Sequence, residues 1–155
     1  MKRRNFLSLG LGALAVSMAP STLSAIDFRK DKPKAWTANK VDTAIQEIFG
    51  TTDMTEDKVK LKAPDIAENG AVIPITVSSD LAGSKVAILQ DANPETLVAV
   101  FTVPKGGIID YSVRIKMAET GNVTAIVEEG GKLYSASKEV KVTIGGCGGW
   151  SISTL

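Results

Sequence analysis

The stretch Tyr111-Ser112-Val113-Arg114-Ile115-Lys116-Met117 alternates apolar and polar side chains without interruption. A repeat of two residues is the period of a β-strand, and it places the apolar side chains on one face of a sheet and the polar ones on the other. The segments 73–77 and 123–127 have the same period. From residue 58 onward the chain therefore predicts seven strands, at 58–62, 71–79, 84–90, 97–104, 109–117, 122–128 and 132–144.

The segments between these strands are rich in turn-forming residues, namely Glu68-Asn69-Gly70, Ala92-Asn93-Pro94 and Gly106-Gly107. Gly130-Gly131 separates two alternating runs, which predicts a β-hairpin. Seven short strands at a spacing of roughly ten residues predict an all-β fold, an antiparallel β-sandwich of immunoglobulin-like type. The Cys-Trp-Cys pattern of antibody domains is absent from the sequence, so only the architecture is predicted.

One helix is predicted ahead of the sandwich, because apolar residues recur at helical spacing at Val41, Ala44, Ile45, Ile48 and Phe49. Gly50 is placed to end this helix, and Thr37 or Asn39 is a candidate for its N-cap. The preceding residues 26–34 are polar and rich in lysine and are predicted to form a linker. Residues 26–144 are therefore interpreted as one domain, an N-terminal helix followed by a β-sandwich.

Residues 1–25 have the features of an export signal. A basic head precedes an apolar stretch of about fourteen residues and then small residues, and this stretch is too short to span a membrane. Two arginines, Arg3 and Arg4, stand just before Phe6 and Leu7, as in a twin-arginine signal. An ordinary secretory signal that begins Lys-Arg-Arg is the alternative. Cleavage after Ala25 and a periplasmic location are predicted.

Composition limits the function classes. The chain has 155 residues and a formal net charge of +1, and without residues 1–25 it keeps 15 basic and 17 acidic side chains, a net charge of −2. This balance argues against a nucleic-acid partner. The absence of histidine removes the commonest general base and the commonest metal ligand. We therefore predict no catalytic residues, no metal site and no cofactor.

The single cysteine, Cys147, lies between two glycine pairs, Gly145-Gly146 and Gly148-Gly149. Glycine ends the alternating pattern after Ile144 and frees the backbone. Three residues of about 3.3–3.6 Å each let the sulfur reach about 10 Å beyond Ile144. Residues 145–155 are thus interpreted as a flexible arm that presents a thiol to the active site of another protein. The alternatives are an intermolecular disulfide and a buried cysteine.

The segment 144–149, Ile-Gly-Gly-Cys-Gly-Gly, resembles the C-terminus of the SoxY family of sulfur carriers. The resemblance extends to the twin-arginine signal, to the helix end at 44–50, to Ala67-Glu68-Asn69-Gly70 with Val72-Ile73-Pro74-Ile75, and to 114–116 with 118–120. It implies an immunoglobulin-like sandwich in which the thiol of Cys147 carries sulfur intermediates covalently in periplasmic thiosulfate oxidation. Family members usually end at or just after the second glycine pair, whereas this chain continues through residues 150–155.

The resemblance also implies partners. They are a small SoxZ-like β-sandwich subunit that forms a heterodimer with the carrier, a Sox c-type cytochrome that joins thiosulfate to the thiol, and a di-manganese hydrolase that releases sulfate. A sulfane dehydrogenase is a further partner in some members. The carrier supplies attachment and delivery, and its partners supply catalysis. The alternative function is a periplasmic binding or assembly module in which Cys147 only forms an intermolecular disulfide.

Overall fold

The fold is described for residues 26–143 of a computed structural model. Three helices come first: α1 (Phe28–Asp31), α2 (Pro33–Trp36) and α3 (Val41–Phe49). Nine strands follow: β1 (Met54–Thr55), β2 (Val59–Lys62), β3 (Ile66–Ala67), β4 (Ile73–Ser79), β5 (Lys85–Gln90), β6 (Leu97–Thr102), β7 (Ile109–Ile115), β8 (Gly121–Glu129) and β9 (Lys132–Val142).

The strands form the two sheets of a sandwich, which confirms the predicted immunoglobulin-like architecture. The larger sheet has the order β1-β9-β8-β5-β6 with β3 also paired to β9, and the smaller has the order β2-β4-β7. Apolar side chains from both sheets meet between them, among them Ile75 and Val77 of β4 and Val86 and Val127 of the large sheet. Each fully buried side chain of this size contributes about 1.5–3 kcal/mol to the free energy of folding.

The helices form a third layer on the outer face of the large sheet. Ala44, Ile45 and Ile48 of α3 are buried in one cluster with Leu89 of β5 and Ile126 of β8. Gly50 ends α3 in a left-handed conformation with φ 80°, and its N–H donates to the carbonyl of Gln46, as its place in the sequence predicts.

Two predictions for the N-terminal region are wrong. Residues 26–34 are not a linker throughout, because Asp27 caps α1 through its side chain and Pro33 begins α2, whose Ala35 is buried. Neither Thr37 nor Asn39 caps α3. The N-cap residue is Lys40, which makes no side-chain cap hydrogen bond. The Thr37 hydroxyl instead donates to the carbonyl of Lys34 at 3.4 Å.

All seven predicted strands are present, with ends that shift by a few residues; β9 is described to Val142, and Ile144 lies outside the described residues. Gly130 and Gly131 have φ values of 57° and 80° and join β8 to β9, which confirms the hairpin.

The sandwich is not purely antiparallel, because β1 and β3 pair in parallel with β9. The reason is that residues 54–67 leave the large sheet after β1, add β2 to the small sheet, and return as β3.

Candidate functional site

The predicted attachment residue Cys147 and its flanking glycines Gly145, Gly146, Gly148 and Gly149 lie outside the described residues, as do Arg3, Arg4, Phe6 and Leu7 of the predicted export signal. The structure describes the support that carries the cysteine, the end of β9. Thr143 precedes Cys147 by four positions. Because a chain spans at most about 3.3–3.6 Å per residue, the two Cα atoms are no more than about 14 Å apart.

The end of β9 is held on both sides by hydrogen bonds. On one side, the backbone N–H of Lys141 donates a hydrogen bond to the carbonyl of Asp65, the residue before β3, at 3.0 Å. The N–H of Thr143 donates to the carbonyl of Ala67, in β3, at 3.1 Å. On the other side, the N–H of Val142 donates to Oγ1 of Thr120 at 2.9 Å. A strand fixed along both edges has little freedom to fray. The end of β9 is therefore a fixed point four positions before Cys147.

A lysine side chain reinforces the same region. Nζ of Lys138 in β9 lies 2.9 Å from a carboxylate oxygen of Asp65 and 2.6 Å from the carbonyl oxygen of Ala63. Both acceptors belong to the segment that returns from β2 to β3. The Asp65 side chain is 88% exposed, so the ion pair contributes little to stability on its own. Its effect is to keep the returning segment next to β9.

The loops at this end of the sandwich are joined by two side-chain amides. Gln90 is buried, and its Oε1 accepts from the N–H groups of Ala92 and Asn93 at 2.7 and 2.8 Å. Asn93 then connects this loop to the end of β7, since its Nδ2 donates to the carbonyl of Lys116 and its Oδ1 accepts from Ala118 N, both at 2.8 Å. The two sheets are therefore connected through one asparagine.

The carboxylate of Asp91 adds a further connection between strands at this end of the sandwich. Asp91 accepts two hydrogen bonds from Asn122, one from its backbone N–H at 2.6 Å and one from its side-chain amide at 3.0 Å. Gly121 leaves the room for this contact, because a Cβ atom there would approach Ala92 Cβ to 2.8 Å and would overlap the carboxylate of Asp91. The start of β8 is thereby attached to the end of β5. Strands β5, β7, β8 and β9 are thus linked to one another near the end of β9.

The sequence did not identify these supporting residues. Asn93 was recognised only as part of a turn, and Thr120, Gln90 and Asp91 belong to no chemical motif. The contacts of Gln90 are local, but those of Asn93, Asp91 and Thr120 join residues distant in sequence, such as the 22 positions between Thr120 and Val142. Within residues 26–143 no group of three carboxylate, thiol or imidazole side chains could hold a metal ion. The helices of that range are also too short and too polar to cross a membrane.

Comparison with known proteins assigns this architecture to a family. Residues 45–147 match the model of the sulfur oxidation protein SoxY, and this match ends at Cys147. The solved structure of the sulfur carrier protein SoxY from Chlorobium limicola f thiosulfatophilum is 43% identical, with a TM-score of 0.63. The alignment covers 68% of this chain and 97% of that one.

A second solved structure shares the fold alone. It is a superoxide reductase (neelaredoxin) from Ignicoccus hospitalis, 18% identical with a TM-score of 0.50 over 56% of this chain and 80% of that chain. Comparison with curated protein sequences gives no significant match. The family model and the Chlorobium structure agree over the sandwich. The chain therefore belongs to the SoxY family.

Proposed function

We propose that this protein is a covalent carrier of sulfur intermediates in periplasmic thiosulfate oxidation and that the thiol of Cys147 is the attachment group. The observation that carries the proposal is the family match over residues 45–147, which ends at this cysteine. A sulfur carrier 43% identical to this chain supports it. The protein itself is not an enzyme in this proposal.

The chemistry requires a thiol and little else from the carrier. In loading, the Cys147 sulfur forms a bond to the outer sulfur of thiosulfate; one proton and two electrons leave, and a c-type cytochrome accepts the electrons. In unloading, water adds to the sulfonate sulfur, sulfate departs, and a persulfide stays on Cys147. A di-manganese hydrolase performs this second step in the proposal, and a sulfane dehydrogenase oxidises the persulfide in organisms that have one. The thiolate form is the nucleophile.

A carrier that leaves catalysis to its partner enzymes agrees with the composition of the chain. The chain has no histidine and one cysteine, so it has neither an imidazole base nor a second thiol with which to form an internal disulfide. A carrier needs neither, because each partner enzyme brings its own catalytic groups. The partner subunit in this proposal is a small SoxZ-like β-sandwich that forms a heterodimer with the chain.

The support of the arm suits this role. Delivery to several enzymes requires a reactive group with freedom of movement and a body that each enzyme can recognise in one orientation. Hydrogen bonds from Lys141, Val142 and Thr143 fix the last described residues to the body. The glycine pairs on both sides of Cys147 lack side chains, so the arm is thin enough to enter a narrow channel.

The replacement Cys147→Ser tests the proposal. The variant keeps the size of the side chain but lacks the nucleophilic sulfur. We expect its melting temperature to equal that of the parent protein and thiosulfate-dependent electron transfer to fall to background in a system reconstituted with the Sox partners. Retained turnover overturns the carrier proposal. If the variant still binds the partners but supports no turnover, the thiol is needed for attachment of sulfur and not for assembly of the complex.

The proposed location is the periplasm, reached through the twin-arginine pathway. This pathway exports folded proteins, and the chain has no cofactor in the proposal that would have to be inserted first. Export of a folded heterodimer explains the choice of pathway, because a partner subunit without its own signal then crosses the membrane together with the carrier. Arg3 and Arg4 provide the signal for both subunits in this arrangement.

A further inference from the structure

The outer face of the small sheet is not covered by any part of the chain within residues 26–143. The helices cover the outer face of the large sheet, whereas every second residue of β2 and most of the alternate residues of β7 are exposed. Because successive side chains of a strand point to opposite faces, these exposed residues share the outer face of the small sheet. A second protein can therefore reach this face across its width.

The charges on this face are unevenly distributed. Lys62 at the end of β2, Arg114 near the end of β7 and Lys116 just after β7 are exposed and lie at one end of the sheet. We call these three residues the basic end. Among the outer-face positions of the three strands, the one carboxylate is Asp110, which lies toward the opposite end of β7.

The register of the sheet brings the three cations close together. Lys62 is opposite Thr76, Thr76 is opposite Ser112, and Arg114 and Lys116 follow Ser112 along the chain with the same alternation. At about 4.8 Å between strands and about 3.4 Å per residue, the Cα atoms of the cations lie within about 17 Å of one another. Hydroxyl groups fill the space between them, since Oγ1 of Thr76 lies 2.8 Å from Oγ of Ser112.

The basic end has no acidic partner in the part of the chain that the structure describes. The ion pairs of residues 26–143 involve Lys30, Lys85 and Lys138, and none of them involves a cation of the basic end. The chain without residues 1–25 has a net charge of −2, so this cluster does not reflect a general excess of lysine and arginine. Clustered cations of this kind attract a surface of opposite charge.

The neighbouring side chains favour a protein as the acidic partner. Val72, 53% exposed, and the exposed Pro74 lie at the same end of the sheet as Arg114, and they add a small apolar contact area. The outer-face positions of the three strands include no aromatic side chain on which a base could stack and no large apolar side chain that could enter a bilayer.

The basic end is also connected to the support of Cys147. The N–H of Thr143 donates to the carbonyl of Ala67, and the chain runs from Ala67 through a turn to Val72 at the start of β4. These five positions span at most about 18 Å, and the Cα atoms of Thr143 and Cys147 are at most about 14 Å apart. An enzyme whose active site receives Cys147 must therefore lie close to the basic end.

We propose that the basic end binds an acidic surface beside the active-site entrance of the enzyme that loads thiosulfate onto Cys147. This inference rests on the proposed carrier function. Attraction between the two surfaces brings the body of the carrier to the enzyme in one orientation, and the proposed arm then reaches the active site. Charges at the rim of an interface act mainly on the rate of association and make it sensitive to salt.

Charge reversal combined with enzyme kinetics tests the proposal. The double variant Lys62→Glu with Arg114→Glu is compared with Lys40→Glu with Lys105→Glu, which changes the net charge equally at exposed residues outside the small sheet. The rate of thiosulfate-dependent reduction of the loading cytochrome is measured against carrier concentration at low and physiological ionic strength. Circular dichroism melting verifies that each variant is folded.

We expect the double variant at the basic end to raise the KM for the carrier about tenfold at low ionic strength and to leave kcat unchanged. The control should stay within about twofold of the parent, and added salt should raise the KM of the parent and reduce the difference between the variants. If the parent is active and the double variant has the same KM, the docking proposal is wrong while the carrier function stands.

A probe that needs no enzyme distinguishes the two possible failures. Binding of poly-L-glutamate is measured by isothermal titration calorimetry with Cys147→Ser protein, and we expect the parent and the control to bind it and the double variant to lose binding. Equal binding by all three, or binding of the parent to phosphatidylglycerol vesicles but not to poly-L-glutamate, overturns the proposal. A parent without turnover overturns the carrier function, and poly-L-glutamate then decides whether the basic end binds acidic protein surfaces.

Discussion

The backbone N–H of Val142 donates to the hydroxyl oxygen of Thr120 at 2.9 Å and so holds the end of β9 on the side opposite to β3. Thr120 lies just ahead of β8, the neighbour of β9 in the large sheet. A single hydroxyl thus closes the ladder where backbone pairing between these two strands has ended. This contact lies five positions before the proposed attachment residue Cys147.

Thr120→Val removes that acceptor without changing the shape of the side chain. We expect the free energy of unfolding to fall by about 0.5–1.5 kcal/mol, the usual net contribution of one hydrogen bond. The amide hydrogen of Val142 should exchange with solvent faster than in the parent protein, measured by NMR. Thr76→Val is the matched control, because it removes a hydroxyl paired to Ser112 on the other sheet. If both variants leave the exchange of Val142 unchanged, Thr120 does not anchor the strand.

Asn93 should contribute more to stability, because it makes two hydrogen bonds between the β5–β6 loop and the end of β7. Asn93→Ala loses both and should lower the free energy of unfolding by about 2 kcal/mol in urea denaturation. Asn93→Asp keeps the acceptor for Ala118 N and loses the donor to Lys116, so the decrease should be about half as large. Equal effects of the two changes would mean that the donor carries the whole contribution.

The sandwich could be predicted because most of its strands bury one face, and a buried face forces an alternation that is visible in the sequence. The short elements could not be predicted. Helices of four residues such as α1 and α2 are too short to display a helical period, and two-residue strands such as β1 and β3 display no alternation at all. The parallel pairing of β1 and β3 with β9 depends on where residues 54–67 cross between sheets, which no local pattern records.

At the candidate site, too, features that form a local sequence pattern could be predicted, and contacts between distant residues could not. Cys147 could be proposed as the attachment residue from the sequence, because a lone cysteine between glycine pairs is a local pattern. Most of the residues that support the end of β9 could not be identified, because their partners are distant in sequence. Asn93 and Ala118 are 25 positions apart and Lys138 and Ala63 are 75 apart. Such contacts follow from the register of the sheets and become visible only in the folded chain.

The proposed glycine tether provides a prediction about delivery of sulfur to the partner enzymes. The double change Gly145→Val and Gly146→Val continues the alternating apolar pattern of β9 and restricts the backbone. We expect little change in the melting temperature and a large loss of sulfur transfer to the partner enzymes in a reconstituted system. Alkylation of Cys147 by a small reagent serves as the control and should proceed normally. Transfer at the parental rate would show that the freedom of the tether is not needed.

The proposed export signal provides a prediction about the partner subunit. Arg3→Lys together with Arg4→Lys should block twin-arginine export, and both this chain and a tagged partner should then remain in the cytoplasm. Cell fractionation followed by immunoblotting measures the two distributions. A periplasmic marker exported by the general secretory pathway is the control and should be unaffected. A partner found in the periplasm of this mutant would contradict export of a preformed heterodimer.

The most direct test of the account is the intact mass of the protein isolated from cells grown on thiosulfate. We expect a fraction of the molecules to carry additional sulfur as a thiosulfonate or persulfide, the adduct to map to the peptide that contains Cys147, and a reducing agent to remove it. The Cys147→Ser variant from the same cells should show the unmodified mass. A parent protein that shows only unmodified chains and disulfide-linked dimers would contradict the carrier function and support a crosslinking role for the cysteine.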